Sequence, residues 1–282
     1  MQKPGALILA GVMPVVVTLL FMKFVSLNLS YAFVISALAL FLSGWWQRDN
    51  ASHPLMKVLV IAGPLTVIFY LLVVRTLPGL WVLLPCFLLA VWIGIMVKKG
   101  VVYRIASGTL LLMVGVLAGF FVPRIIADTL SERMNEPAPV FVLEGLPGQD
   151  TLTNATLRGN VVVLDFFGTW CAPCIAEMRE LDEVQAHFSG RQHQPVFVIA
   201  CTDTGGDTPE KALNFHRTRQ LPFALAYDHE GRVHRAFGFT GVPGLVILDR
   251  QGQMRFRHEG FNAAEDLQGV LIPVLEDLLN EQ

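Results

Sequence analysis

Residues 161–178 read VVVLDFFGTWCAPCIAEM, and the fold follows from this stretch. It opens on a continuous apolar run interrupted only by Asp165, the pattern of a strand buried on both faces. From Ala172 onward the apolar residues Ile175, Met178, Leu181, Val184 and Phe188 recur every three or four positions, which predicts an amphipathic helix with Gly190 as its stop signal. Where the strand gives way to the helix stands Trp170-Cys171-Ala172-Pro173-Cys174. That position has a chemical consequence. Unpaired N–H groups and the dipole at a helix start favour a negative sulfur on the first cysteine, and the thiolate is the attacking species in disulfide exchange. Two intervening residues let Cys174 reach back along the first turn to close a disulfide. Pro173 stiffens that turn without removing a needed hydrogen bond.

Other uses of the pair fit less well. Half of a zinc site needs two further ligands, but no second CxxC exists, and His187 and His193 form no ligand pattern. A purely structural disulfide would close too short a loop to add much stability. The four cysteines are Cys86, Cys171, Cys174 and Cys201, with one close pair among them, so this is no disulfide scaffold. Cys201 ends an apolar run and reads as packing, with a third redox cysteine as the alternative. No metal and no cofactor beyond the cysteine pair is expected.

Outward from the motif, the carboxy-terminal half alternates strands and helices. Residues 140–145 and the QDTLTN segment suggest an early hairpin. Residues 195–202 form a second buried strand, and 208–220 a helix with Thr208 as N-cap. Residues 223–228 form a short strand and 230–237 a helical turn. Strands at 244–249 and 254–260 are joined by the turn sequence DRQG, and 263–279 is a closing amphipathic helix. The fold class is therefore α/β: a mixed central sheet flanked by helices and ending in an antiparallel hairpin.

The amino-terminal half is different. Mean hydropathy is +0.53 and only 16% of residues are charged, against about 25% in a soluble domain. Apolar runs of 17 to 18 residues at 5–21, 29–46, 57–74, 80–97 and 105–122 predict five membrane-spanning helices, charged only at Lys57 on an edge. A cleaved signal peptide is the alternative for the first run. The expected division is a transmembrane domain at 1–122, a linker at 123–137 carrying a short helix and connector, and a soluble domain at 138–282. Lys3, Arg48, Lys57, Lys98, Lys99 and Arg104 fall on one side of the bilayer, Lys23 and Arg75 on the other. This asymmetry predicts a cytoplasmic amino terminus and an extracytoplasmic carboxy-terminal domain, held in the inner (plasma) membrane of a bacterium. Cys86 stands alone in the apolar half, so no dithiol conduit is built there. A formal net charge of −2 without a basic block argues against a nucleic-acid partner.

The quoted stretch resembles the active-site segment of the thioredoxin superfamily, above all its TlpA/ResA-like branch. GTWCAPC and the following Glu177 carry the match, which extends over about residues 137–282. The resemblance implies a thioredoxin-like fold and a membrane-tethered extracytoplasmic thiol-disulfide oxidoreductase. Val242-Pro243 in TGVPGLVILD matches the cis-proline loop that packs opposite the cysteines and pairs with an extended substrate. Asp165 matches the buried acid that relays a proton to or from the second cysteine, and Glu177 an acidic residue near the active site. A hydrogen-bonded structural Asp and a solvated helix charge are the alternatives for these two. Trp170 is expected to shield the disulfide, and Pro173 to join Val242 and Pro243 on the substrate side. Two features depart from the pattern: no lysine follows the next strand, where Cys201-Thr202-Asp203 stands, and five spans replace the usual single anchor.

The partners implied are the lipid bilayer, a separate membrane electron donor, and extracytoplasmic client proteins with disulfides, such as an apocytochrome before haem attachment. Without the histidine that oxidising relatives often carry between the cysteines, Ala-Pro favours a reductase over an oxidase. A thiol peroxidase and a non-enzymatic metal- or partner-binding module are the rival classes.

Overall fold

A computed structural model describes residues 4–26, 28–97, 100–146 and 150–281. Lys3, Lys98 and Lys99 of the charge asymmetry, and Gln149 of the expected hairpin, lie outside them. The chain divides into two compact units, Met1–Thr129 and Leu130–Gln282.

The first unit is helical: α1 (Pro4–Phe24), α2 (Leu29–Trp46), α3 (Pro54–Phe69), α4 (Leu84–Met96) and α5 (Val101–Val116). With their flanking turns they make, among the described residues, five helices long and apolar enough to cross a membrane: Gly5–Phe24, Leu29–Trp46, Pro54–Val74, Pro78–Met96 and Val101–Leu130. Large side chains such as Ile8, Leu59 and Leu112 stand exposed on their outer faces, as lipid-facing residues do. Small residues let the backbones approach. A Cβ at Gly94 would lie 2.3 Å from the Phe41 carbonyl oxygen, and one at Gly44 would lie 2.5 Å from that of Val91, so α2 and α4 touch through their backbones there. Polar links join the helices: Thr18 Oγ1 and Ser36 Oγ are 2.9 Å apart, and Gln47 Nε2 donates to the Ala6 carbonyl at 3.1 Å. Lys57 sits in the first turn of α3 and donates its ammonium to the Asn50 carbonyl.

The expected linker at 123–137 is corrected. The short helix expected there is present, but it continues the fifth span. A π-helical turn, Leu117–Phe121, follows α5, and α6 (Val122–Leu130) continues the run to Leu130. The π turn supplies the irregularity that Pro123, which has no N–H to donate, requires. Residues Ser131–Pro137 are then not a connector but a strand, β1.

The second unit is one eight-stranded mixed sheet in the order β1-β8-β7-β4-β5-β6-β2-β3. Its other strands are β2 (Val142–Leu146), β3 (Leu152–Thr153), β4 (Val162–Phe167), β5 (Val196–Thr202), β6 (Ala224–Asp228), β7 (Gly244–Leu248) and β8 (Gln253–Glu259). Strands β4, β5 and β6 run parallel, and the remaining pairs are antiparallel. Every residue of β4 is buried, as its unbroken apolar run requires. The β7–β8 hairpin turns at Asp249–Gly252, where Asp249 Oδ1 accepts from the N–H groups of Gln251 and Gln253 and Gly252 takes φ +82°.

Helices α8 (Ala172–Phe188), α9 (Pro209–Arg219) and α11 (Leu267–Asn280) share one core with Val163, Phe167, Ile199, Leu245 and Phe256. The short α7 (Asn154–Leu157) and α10 (Arg232–Ala236) cover the other face, over Val162, Leu164 and Phe166. A parallel β4–α8–β5 unit followed by a β7–β8 hairpin and a closing helix is the thioredoxin-like arrangement. The closing helix begins at Leu267, not at 263, because Asp266 is its N-cap, accepting from Gly269 N at 2.9 Å.

Candidate active site

Cys171 is the N-cap of α8, and its sulfur accepts from Cys174 N at 3.1 Å. The two cysteines are joined as a disulfide. Pro173 lies in the first turn, where its missing N–H costs nothing. Cys171 is 3% exposed and Cys174 is fully buried, so the first cysteine is the more accessible of the two. Cys171 Sγ lies 3.8 Å from the carbonyl oxygen of Val242. The Val242–Pro243 bond is cis, as the resemblance implied. Glu259 Oε1 fixes the loop before it, accepting from Thr240 N at 2.9 Å and Thr240 Oγ1 at 2.7 Å. His234 Nε2 lies 2.8 Å from the Gly241 carbonyl on the other side.

Asp165 and Glu177 are both fully buried, and no hydrogen bond from the described residues reaches any of their four carboxyl oxygens. Glu177 is therefore not a solvated helix charge. Side chains alternate along a strand, so Asp165 points the same way as Val163 and Phe167, into the core beneath α8 that contains Cys174. Glu177 follows Cys174 by one turn of that helix. Burial pushes the Asp165 carboxyl up to about 7. Burial, and then the charges of Asp165 and Glu265, hold Glu177 well above the usual carboxylate range. Two adjacent carboxyls in a low-dielectric interior resist double ionisation. The site can therefore take up or release a proton near neutral pH, one helical turn from the inner sulfur.

Trp170 is 57% exposed, and its indole lies across Gly168 and Gly205, where a Cβ would come within 2.9 Å and 1.9 Å of it respectively. Cys201 is a buried free thiol. Burial first, then the Asp207 carboxylate, pushes it up, which is the behaviour of a packing residue.

Four residues of the site escaped the sequence reading. Asp207 clamps the loop before the cysteines: Thr169 N donates to its Oδ2 at 2.8 Å and Thr169 Oγ1 to its Oδ1 at 2.6 Å. Tyr227 Oη holds its backbone by donating to its carbonyl at 2.6 Å. Glu265 and His258 face each other in the interior, with His258 Nε2 3.5 Å from Glu265 Oε1. The sequence offered no signal for them beyond their residue types.

The AhpC/TSA family model matches residues 134–257. The chain is 34% identical over 166 residues, 58% of its length, to a thiol:disulfide interchange protein DsbE homolog of Paracoccus denitrificans, covering 87% of that protein. It is 33% identical to the DsbE of Tatumella citrea, over 48% of this chain and 70% of that one. It is 28% identical to the thiol-disulfide oxidoreductase ResA of Geobacillus thermodenitrificans, over 56% and 87%.

Proposed function

Because this chain belongs to the thioredoxin-like thiol:disulfide oxidoreductases of the DsbE and ResA type, we propose that it reduces disulfides in extracytoplasmic client proteins, with Cys171 as the attacking atom. The observation that carries the reading is the placement of an N-cap sulfur beside the Val242 backbone.

The Cys171 thiolate attacks one sulfur of the client disulfide, and the other client sulfur leaves as a thiolate. The client strand lies along the Val242–Pro243 loop, with Trp170 and Pro173 flanking the sulfur. Cys174 gives its proton to the Asp165 carboxylate and attacks Cys171 Sγ. The bond from Cys171 to the client breaks, and the second client sulfur departs with the electron pair. Two electrons have passed to the client, and the enzyme disulfide is restored. A dithiol donor in the membrane returns the two electrons by the reverse exchange. Apocytochromes awaiting haem attachment are clients of the right chemistry, since their haem-binding cysteines must be reduced.

The five apolar helices anchor the domain to the bilayer. Arg48, Lys57 and Arg104 with Lys3, Lys98 and Lys99 keep the amino terminus in the cytoplasm, and after five crossings the redox domain is outside. The domain boundaries that accord with this are 1–129 and 130–282.

The test is direct. The full chain in detergent, supplied with dithiothreitol, should reduce a disulfide-bonded peptide, and Cys171→Ser should abolish the activity. Equal rates with and without Cys171 would overturn the reading.

A further inference from the structure

An extended client strand pairs with the Val242–Pro243 loop through backbone groups, and several of these are already engaged. The Thr240 N–H is held by Glu259. The Gly241 carbonyl lies 2.8 Å from His234 Nε2. The Pro243 carbonyl accepts from Gly260 N at 2.9 Å, and proline has no N–H to give. Val242 is left between them. Its carbonyl faces Cys171 Sγ at 3.8 Å, and its N–H has no partner among the described residues. A residue with both groups available can exchange two hydrogen bonds with the residue opposite it in a partner strand.

The direction of that N–H is set one residue earlier. The peptide between Gly241 and Val242 is trans, since the cis bond is the next one. In a planar trans peptide the carbonyl and the N–H point opposite ways. With the Gly241 carbonyl turned in toward His234, the Val242 N–H is turned away from that buried ring. Gly241 is exposed, and no atom lies within 4 Å of where its Cβ would be. Without a side chain, this residue leaves the peptide plane free to turn. The hydrogen bond from His234 is what holds it.

His234 is itself tightly held. It lies in α10 and is 2% exposed. The Asp228 carboxylate accepts from Val233 N and from His234 N, each at 2.9 Å. The imidazole stacks on Phe239 at 5.5 Å and meets Phe166 edge-on at 5.7 Å. Phe239 in turn occupies the space beside Gly244, where a Cβ would lie 2.8 Å from its ring. A carbonyl only accepts, so Nε2 carries the hydrogen for Gly241. Nδ1 has no hydrogen-bond partner among the described residues. A phenylalanine would fill this aromatic cage without leaving a buried acceptor unmet. What the imidazole adds to packing is its one polar contact, the bond to the Gly241 carbonyl.

We infer that His234 is a positioning residue for client binding: by holding the Gly241 carbonyl it fixes the 241–242 peptide plane and presents the Val242 N–H to a carbonyl of the extended client strand. The Val242 carbonyl then takes an N–H of the same client residue. The inference rests on the function proposed above, in which the client lies along this loop. His234 acts only through the loop, so it serves the binding of a peptide and not the chemistry at Cys171. A disulfide without a peptide backbone has no use for the plane.

The test compares two substrates in the full chain supplied with dithiothreitol. His234→Phe keeps the ring and removes the donor. It should raise the KM for a disulfide-bonded peptide about tenfold and leave kcat within about twofold of wild type. With hydroxyethyl disulfide, which has no backbone to pair, its rate should stay within about twofold of wild type. His234→Gln returns an N–H donor at similar reach and should bring the peptide KM back to within about threefold. If His234→Phe does not fold, His234→Asn, whose amide is one bond too short for the Gly241 carbonyl, replaces it under the same criteria. Equal losses on the peptide and on hydroxyethyl disulfide would assign His234 a structural role and overturn the inference. A peptide KM unchanged in His234→Phe, or raised as far in His234→Gln, would overturn it too. A wild-type chain that turns over hydroxyethyl disulfide but no peptide would instead overturn the proposed function itself.

Discussion

Cys171 Sγ and the Val242 carbonyl oxygen face each other at 3.8 Å across 71 positions of sequence. The contact joins the start of α8 to the entrance of β7, so the attacking sulfur lies beside an open stretch of backbone. Glu259 sets the height of that stretch through its two bonds from Thr240. Glu259→Ala should release the loop, at about 1 kcal/mol of lost positioning. The KM for a disulfide peptide should rise roughly fivefold, since 1.4 kcal/mol is a factor of ten, while the alkylation rate of reduced Cys171 stays near wild type. Steady-state kinetics and iodoacetamide trapping check both.

Asp165 makes the second unit less stable as pH rises. Its folded pKa of about 7 lies above its ordinary 3.8, so between those values the folded state holds a proton that the unfolded state has lost. Stability is full below about pH 4 and declines toward neutrality. Asp165→Asn should remove that decline, raising stability at pH 8 by up to about 4 kcal/mol, three pKa units at 1.36 each, with no gain at pH 4. The same variant should slow the resolving step roughly a hundredfold. Thermal midpoints followed by near-ultraviolet circular dichroism, and single-turnover rates, test the two halves separately.

Asp207 holds the loop that presents the cysteines. Asp207→Ala strips both acceptors from Thr169, at a cost of roughly 1–3 kcal/mol for the donor left unmet. Asp207→Asn keeps an acceptor for the Thr169 hydroxyl or its N–H and should cost less. Thermal midpoints should rank wild type above Asn above Ala, and the spread of Cys171 alkylation rates should follow the same order.

The charge asymmetry predicts sidedness. In spheroplasts treated with a reductant, a membrane-impermeant maleimide should label Cys171 from outside without permeabilisation. A label that reaches Cys171 only after lysis would place the redox domain in the cytosol.

Legibility followed the range of the interactions. The β4–α8 junction could be read because strand burial, helix periodicity and the cysteine pair all lie within residues 161–188. The five spans could be read because lipid imposes a length and a composition on each one separately. Strand β1 could not. SERMNEP is charged, ends in proline and has no apolar alternation, as befits a largely exposed edge strand that pairs with β8. The short helix after residue 122 was legible, but not its continuity with the fifth span, which runs through the π turn at Leu117–Phe121. Asp207, His258 and Glu265 were invisible for a third reason. Their neighbours, Thr169, Ser131 and Glu177, are 38, 127 and 88 positions away, so only sheet register and helix packing bring them together. Glu177 could be located from its spacing after Cys174, but its full burial is set by the packing of α8 on the sheet.

The central claim is that Cys171 is the sulfur that enters clients and Cys174 the one that releases them. Cys174→Ser and Cys171→Ser variants of the full chain, each incubated with a disulfide-bonded peptide and quenched with acid, separate the two roles by mass spectrometry. The account predicts a stable mixed disulfide on Cys171 in the first variant and none on Cys174 in the second. Adducts forming equally on both sulfurs, or preferentially on Cys174, would contradict it.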